Sequence, residues 1–593
     1  MSDYRAPIDD IRFALRHVAG LEEVAALDGF EHSDSATVEG LLDEAGRFFE
    51  EVVAPLNRVG DQIGSVRNDD GTITVPPGFD EAYQRYVEAG WSTVGFPSAY
   101  DGGGFPWLVN LSLQEMMTSA NLAFSLCPML TQGAIDALLH YGTEQQKETY
   151  LRHMVLGEWT GTMNMTEPEA GSDVGALTTK AVPNDDGSWR ITGQKIYITW
   201  GEHDMTENIV HLVLARTPDS PPGTKGISLF VVPKFLVDDD GSLGERNDVQ
   251  CVSIEHKLGI NASPTCVMAF GDNGGATGWL LGEERQGMRV MFTMMNNARL
   301  AVGLEGVGVS ERAYQQARTF ANERRQGRAA GADPSSPSPI VDHPDVQRML
   351  LDMRSGTAAI RGLCYRTAAA TDKSEHGATE ADRNDGAAMA ALFTPLAKAW
   401  STDLACEITS LGVQIHGGMG YIEETGAAQH FRDARITPIY EGTNGIQAID
   451  LVGRKVPMDG GDVIRRHLAS MRSTATRAAE MASLAPAAAH LTAAVDALDA
   501  ATSWLLDVGA TAPAAVLPGA TSYLEMLAVT TGGETLIAGA LSADAADEPD
   551  AADRAVMARF FAANRMARVP GMGAGVTDLG PELAAAHARF LTE

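Results

Sequence analysis

Four segments of the chain carry residue types and spacings that could do chemistry. The first is Met163-Asn164-Met165-Thr166-Glu167-Pro168-Glu169-Ala170-Gly171-Ser172-Asp173-Val174-Gly175. Its small and hydroxyl residues leave backbone N–H groups available and offer Thr166 and Ser172 as donors, so it can cradle a pyrophosphate or the polar edge of a flat ring. The second, Lys195-Ile196-Tyr197-Ile198-Thr199-Trp200-Gly201, puts an aromatic, a hydroxyl and a glycine on one strand, where they could flank such a ring. The third, Gln414-Ile415-His416-Gly417-Gly418-Met419-Gly420-Tyr421, follows a helix and lacks the GxGxxG spacing of a Rossmann turn. Its paired glycines let backbone approach a ligand closely. The fourth runs from Arg432 to Gln447. There Pro438 ends any preceding helix, and Thr443 can cap the next one, whose apolar residues are Ile446, Ile449 and Val452. Glu441 thus lies just before a helix, between an apolar strand-like tail and a glycine. A carboxylate so placed can act as a base in a desolvated pocket. Taken singly, the four segments are also what an ordinary turn, a half-buried strand, a helix C-cap and a solvated loop glutamate look like.

The elements that must position these segments are mostly helical. Apolar residues at helix spacing begin around Ile11 to Val18 and recur from about 35 to 159, as in Leu41, Leu42, Ala45, Phe48 and Phe49. Short β-rich runs follow at 189–192, 196–199, 209–214, 227–232 and 266–270, separated by Gly, Pro and Asp turns. They predict a compact β domain of roughly 120 residues inside a helical chain. Helices return over 288–325, 343–370 and 387–411, with a Gly/Ala/Ser/Pro surface loop at 327–339. Beyond Val456 the chain is alanine-rich and lysine-free, which predicts a further helical domain with an acidic, solvated connector at 542–552. The expected divisions are an N-terminal arm (1–40), a helical domain (41–160), a middle β domain (161–283), a helical bundle (284–455) and a C-terminal helical domain (456–593).

Composition narrows the function classes. The 593 residues are 44% hydrophobic and 21% charged, so a packed core is available. The net charge of −33 argues against a nucleic-acid surface and against docking on anionic lipid. Residues 456–593 hold nine Arg, no Lys and sixteen acidic residues, which extends that argument to the tail. No membrane span or signal peptide is evident, and the five cysteines show no CxxC spacing. They read as reduced thiols of a cytoplasmic protein, with no zinc site.

The four segments, in this order and spacing, resemble the acyl-CoA dehydrogenase family. The resemblance covers about residues 41–455 and includes Tyr141-Gly142-Thr143-Glu144-Gln145-Gln146-Lys147, Lys257-Leu258-Gly259-Ile260-Asn261-Ala262-Ser263 and Tyr440-Glu441-Gly442-Thr443. The arm and tail resemble the larger subgroup that includes methylthiopropionyl-CoA dehydrogenases and broad-range bacterial acyl-CoA dehydrogenases. The resemblance implies a mainly α fold with a central β-barrel-like domain: an α domain, a β domain and a four-helix bundle, here with an added C-terminal helical domain. It implies FAD as cofactor, an acyl-CoA substrate, an electron-transfer flavoprotein as acceptor and at least a dimer; the tail, covering the face where smaller members form tetramers, suggests a homodimer. Glu441 matches the position that removes the α-proton of the thioester, and Ala298 stands where some members place the base instead. Its backbone N–H and a ribityl hydroxyl would stabilise the enolate oxygen.

By the same resemblance, Met163, Met165 and Thr166 would line the flavin, with Thr166 on its pyrimidine edge. Ser172 would lie near the pyrophosphate and the CoA arm, Tyr197 against the ring and Thr199 near N5. Arg324, Gln414, Gly417 and Gly418 would hold the FAD of the neighbouring subunit, and Thr443 and Gly445 would lie near adenosine or pyrophosphate. Asn296, Arg299 and Gly442 would face the substrate. The sequence departs from the family pattern in four places: Tyr197 replaces a common tryptophan, Arg324-Arg325-Gln326-Gly327 replaces Arg-x-x-Phe-Gly, and Pro344 and Gly445 stand where glutamines are frequent. An acyl-CoA oxidase, a nucleic-acid-associated flavoprotein of the same superfamily and a non-catalytic helical scaffold are the competing readings.

Overall fold

A computed structural model describes residues 4–591 except 239, 333 and 334. By contact density it divides into two units, one of residues 47–105 and 120–298, the other of residues 4–46, 106–119 and 299–591.

The first unit is built on an eight-stranded sheet. Its strands are β1 (Trp159–Asn164), β2 (Lys180–Pro183), β3 (Trp189–Thr199), β4 (Asn208–Arg216), β5 (Ile227–Pro233), β6 (Val249–Ile254), β7 (Thr265–Phe270) and β8 (Ala276–Leu281). The spatial order is β6-β7-β3-β8-β5-β4-β1, with β2 bridging β3 and β4. The β1–β4 pair is parallel, in register Trp159↔Asn208 through Asn164↔Val213. β4 and β5 are nearly unbroken apolar runs because both their faces are covered. Val210, Leu212 and Leu214 enter a core shared with the helix α1 (Leu122–Tyr141), while Val213 and Ala215 enter a second core with Ile191, Phe230 and Phe270. Gly161 lets α1 lie against β1, since a Cβ there would come within 2.5 Å of the Ala134 side chain. A short hairpin, Val66–Arg67 with Ile73–Thr74, interrupts the stretch that reads as mostly helical in sequence.

The second unit is all helical among its labelled elements. Its main helices are α2 (Gly287–Glu323, of which residues from 299 on belong here), α3 (Pro344–His376), α4 (Glu380–His416), α5 (Asn444–Asp450), α6 (Asp462–Glu480), α7 (Ala485–Thr511), α8 (Ala520–Ala545) and α9 (Ala551–Asn564). α2 and α4 touch backbone to backbone: a Cβ on Gly303 would lie 2.6 Å from the Ala397 carbonyl, and one on Gly306 2.6 Å from that of Ser401. Those two glycines flank Glu305, and the facing segment of α4 carries Lys398. Residues 456–591 fall in this same unit. α8 packs on α3 and α4, with Arg366 bonding Glu534 at 2.6 Å and Gly532 making room for the Trp400 ring.

Several sequence expectations need correcting. The expected run 387–411 is one turn or more too short at each end, because a Thr379–Asp382 capping box starts the helix at Glu380. The acidic connector expected at 542–552 is mostly helix, leaving only residues 546–550 between α8 and α9. The apolar tail before Glu441 is a series of turns, not strand-like. By length and composition two stretches could cross a membrane, Leu122–Tyr141 and Pro513–Ala545, although 89% and 83% of their apolar windows are buried inside the protein. All five cysteines are unpaired, and four of them are buried.

Candidate active site

In the second unit, Glu441 sits in a turn fixed from both sides. The Thr443 hydroxyl accepts from the Ile446 N–H at 3.2 Å, capping α5 as its sequence position predicts. The Asn444 N–H reaches back to the Pro438 carbonyl at 3.0 Å and closes the turn. Within it Glu441 has φ 55° and Gly442 φ 82°. A non-glycine residue in that left-handed region is strained by about 1–3 kcal/mol and persists only where its surroundings over-determine it. Here they do. The Asn444 side chain donates to the Ala399 carbonyl and the Thr402 hydroxyl, both at 2.9 Å, and accepts from Lys398 Nζ at 2.7 Å. Gln447 Nε2 donates to the Glu441 carbonyl at 3.3 Å, and the Tyr440 hydroxyl donates to Glu305. Glycine suits position 442 because φ 82° strains any residue with a Cβ, and a Cβ there would also crowd Gln447 Nε2 at 2.9 Å.

Glu441 is half-buried overall, but its Oε2 is closed off from solvent and has no hydrogen-bond partner. Burial pushes its carboxyl above the usual range, while the charges of Arg299 and Lys398 pull it back. Its backbone N–H has no acceptor among the described residues. The result is a carboxylate with a bare, desolvated oxygen next to an unused donor, which suits proton abstraction from carbon beside a carbonyl. Arg299 is buried and approaches the Gly442 position, so Glu441, Gly442 and Arg299 come together as expected.

Arg324 and the Gln414–Gly418 segment lie away from that turn by sequence but share one end of the α2–α4 pair, where Phe320 stacks on His416 at 4.4 Å. Gln414, Gly417 and Gly418 are exposed; Gln414 belongs to the last turn of α4, and Gly417 (φ 60°) is its C-cap. So the segment straddles a helix end, and the plain C-cap is part of the truth. Gly445 is exposed on the first turn of α5.

In the first unit, the Met163–Gly175 loop hangs on one buried carboxylate. Glu167 accepts from the backbone N–H and hydroxyl of Thr178 at 2.6 and 2.8 Å, and from those of Thr179 at 3.1 and 2.6 Å. Lys195, fully buried on β3, bonds Glu167 at 2.8 Å and the Met165 carbonyl at 3.2 Å. Burial would raise the Glu167 pKa, but the Lys195 charge and these donors outweigh it and hold the carboxyl at about 2. The Ile196 N–H adds a bond to the Thr166 carbonyl at 2.9 Å. At that point β3 has a bulge, since its pairing with β7 slips between Cys266↔Ile198 and Met268↔Lys195. The extra residue, Tyr197, takes φ 59° and is 60% exposed where the strand alternation would bury it. Thr199 is half-buried, its carbonyl taking the Thr162 hydroxyl at 2.7 Å. Trp200, also left-handed, turns into the core and bonds the Ala123 carbonyl. Met163 is buried, Met165 and Thr166 are half-buried, and Ser172 and Asn296 are exposed.

Four family descriptions match the chain in succession: the acyl-CoA dehydrogenase N-terminal domain at residues 35–158, the middle domain at 162–273, the C-terminal domain at 285–456, and an acetyl-CoA dehydrogenase C-terminal-like domain at 467–586. The chain is 50% identical over 471 residues to 3-methylmercaptopropionyl-CoA dehydrogenase of Ruegeria pomeroyi, covering 79% of each. It belongs to the acyl-CoA dehydrogenase family. A butyryl-CoA dehydrogenase of Syntrophomonas wolfei is 37% identical over 84% of this chain and 83% of its own. Two solved structures share the fold over 100% of this chain and 96% of theirs, each at 21% identity. They are ACDH-11 of Caenorhabditis elegans in complex with C11-CoA (TM-score 0.79) and an acyl-CoA dehydrogenase of Bacillus anthracis complexed with FAD (TM-score 0.74).

This acyl-CoA dehydrogenase is therefore a flavoenzyme, an oxidoreductase with FAD as cofactor. Its residues fit that group. The bulge that turns Tyr197 outward lies beside Thr166, and the half-buried Met165, Thr166 and Thr199 present thioether and hydroxyl groups rather than charges. The sequence alone did not single out Lys398, Asn444, Glu305 or the threonines that hold Glu167. Glu305 did leave a signal: it is a lone carboxylate in the apolar, glycine-rich run Leu300–Val309.

Proposed function

We propose that this acyl-CoA dehydrogenase oxidises a short acyl-CoA thioester to its trans-2-enoyl-CoA, with Glu441 taking the α-proton. The observation that carries the reading is the buried, partnerless Oε2 of Glu441 beside its own uncommitted N–H. The oxygen is free to receive the proton, and the N–H is free to bond the thioester oxygen as charge develops there. FAD, when bound, supplies the acceptor for the β-hydride. Arg299 steadies the negative charge on Glu441 before transfer, and Lys398 adds a second cation. Met165, Thr166, Tyr197 and Thr199 would hold the flavin, and the Glu167–Lys195 pair keeps their loop in place. Ser172, Asn296 and Gly442 would meet the CoA and thioester portions.

Short acyl groups are supported by the names of the relatives, one acting on 3-methylmercaptopropionyl-CoA and one on butyryl-CoA. The reading includes an electron-transfer flavoprotein as acceptor and a cytoplasmic location, the latter in keeping with five unpaired thiols. It also includes a homodimer, supported by Met419, Tyr421 and Ile422, apolar side chains 51%, 86% and 46% exposed beside Gly417 and Gly418.

The test is a panel of CoA thioesters, 3-methylthiopropionyl-CoA and butyryl-CoA among them, mixed without oxygen with wild type and Glu441→Gln. Wild type should bleach its flavin; the variant should keep FAD and bleach about 10²–10⁴ times more slowly. Equal rates would remove Glu441 from its role. Peroxide release matching substrate loss in air would reassign the enzyme as an oxidase.

A further inference from the structure

Seven positions before Arg312 on α2, Glu305 is 1% exposed. One oxygen takes the Tyr440 hydroxyl; the other, Oε1, is buried and has no partner. Tyr440 precedes Glu441 in the chain, and Asn444, three residues after it, is held by Lys398. So the strained turn at Glu441 is tied on one side to α2 and on the other to α4, at the height where Gly303 and Gly306 bring the two helices into backbone contact.

We propose that Glu305 is a positioning residue for the reaction: through the Tyr440 hydroxyl it holds the α2 side of the turn that presents Glu441, and a negative charge on Glu305 draws Lys398 away from Asn444 and loosens the α4 side. This rests on the reading of Glu441 as the base. The groups that face Glu305 are Tyr440, Glu441 and Lys398. Around them, Asp403 and Arg299 face Lys398, Asp433 faces Tyr440, and Asp450 and Arg454 face Arg299. Burial pushes the Glu305 carboxyl up to about 8; the Tyr440 bond pulls it down, the Glu441 charge pushes it up, and Lys398 pulls it down. Near neutral pH it therefore keeps its proton. Once ionised, it sets a second buried anion near Glu441. That anion keeps its bond from Tyr440 but competes with Asn444 for Lys398, which frees the turn on its α4 side and lowers the rate. Glutamine at this position stays neutral and still accepts from Tyr440.

The experiment uses purified holoenzymes, each quantified by its flavin absorbance: wild type, Glu305→Gln, Glu305→Ala and Tyr440→Phe. Flavin bleaching by butyryl-CoA is followed in a stopped-flow instrument from about pH 6 to about pH 10. In wild type the limiting rate should fall at alkaline pH by about tenfold per unit. Glu305→Gln should move that limb up by about one unit or more. Below about pH 8, Glu305→Ala and Tyr440→Phe should lower the limiting rate about tenfold, with the apparent butyryl-CoA affinity within about twofold of wild type. Glutamine should restore what alanine loses. A Glu305→Gln profile that superimposes on wild type overturns the proposal, as does a wild-type limiting rate in Glu305→Ala. If Glu305→Gln does not retain FAD, Tyr440→Phe decides, and a wild-type rate there overturns it. If no thioester of the panel bleaches wild type, the reading of the enzyme fails and this inference fails with it.

Discussion

At the residue scale, the site is a matter of which carboxyls keep their protons. In the proposed reaction Glu441 must be ionised to act, and burial has raised its proton affinity. The rate of flavin bleaching should therefore climb with pH through a midpoint above the usual glutamate value, and Arg299→Met, which removes an opposing charge, should move that midpoint further up by about one unit. Glu305 makes a stability prediction of definite sign. Its folded pKa of about 8 exceeds the ordinary glutamate value, so the folded state holds a proton that the unfolded state gives up. The stability it contributes is complete below about pH 4.5 and drains away as pH rises to about 8, at about 1.4 kcal/mol per unit. Thermal melts of Glu305→Gln against wild type should show a difference in favour of the variant that widens between those limits. Glu441 and its capping neighbour Thr443 were legible in the sequence because turn chemistry is local. Glu305 was not, because its partner, Tyr440, lies 135 positions further along.

At the element scale, buried carboxylates organise the candidate flavin loop and the start of a helix. Glu167 gathers the donors of Thr178, Thr179 and Lys195 and so shapes the Met163–Gly175 loop. Glu167→Gln keeps the size of the side chain but breaks the charge match with Lys195. FAD affinity, read by quenching of flavin fluorescence, should weaken by about tenfold, consistent with a loss of about 1.5–3 kcal/mol for a hydrogen bond to a charged group that is only partly transmitted to the loop. Asp372 on α3 does similar work for the helix Trp107–Ala120, accepting from the N–H groups of Trp107 and Leu108 at 2.7 and 2.9 Å. Asp372→Ala should cost about 1–2 kcal/mol, seen as a lower melting temperature. The β-rich runs 189–192 and 196–199 read as strand and join into the single strand β3, but the bulge at Tyr197 depends on pairing with β7 and has no local signature in a sequence without a glycine there.

At the scale of the whole molecule, the acidic surface and the alanine-rich tail take on clearer meaning. A net charge of −33 is compatible with phosphate-bearing ligands, because the candidate contacts are backbone N–H groups, hydroxyls and a few arginines. The tail from residue 456 packs its long apolar helix α8 against α3 and α4, which explains why Pro513–Ala545 is apolar enough to span a membrane and yet is buried. If the exposed Met419, Tyr421 and Ile422 form part of a subunit contact, Tyr421→Asp should shift the mass measured by light scattering from dimer toward monomer and loosen FAD at the same time.

The sequence by itself determined the order of the segments, the Thr443 cap of the helix that follows, the β-rich runs of the middle domain, and Glu441 as the candidate base. Each of these is written within one or two turns of chain or in a periodicity. Only the tertiary structure decided that Glu305 and Lys398 clamp the turn, that Lys195 serves Glu167, and that Tyr197 leaves its strand. These depend on partners brought close by glycine contacts and strand pairing. Their effect on proton affinity comes from burial, which no single segment possesses until the others have packed around it.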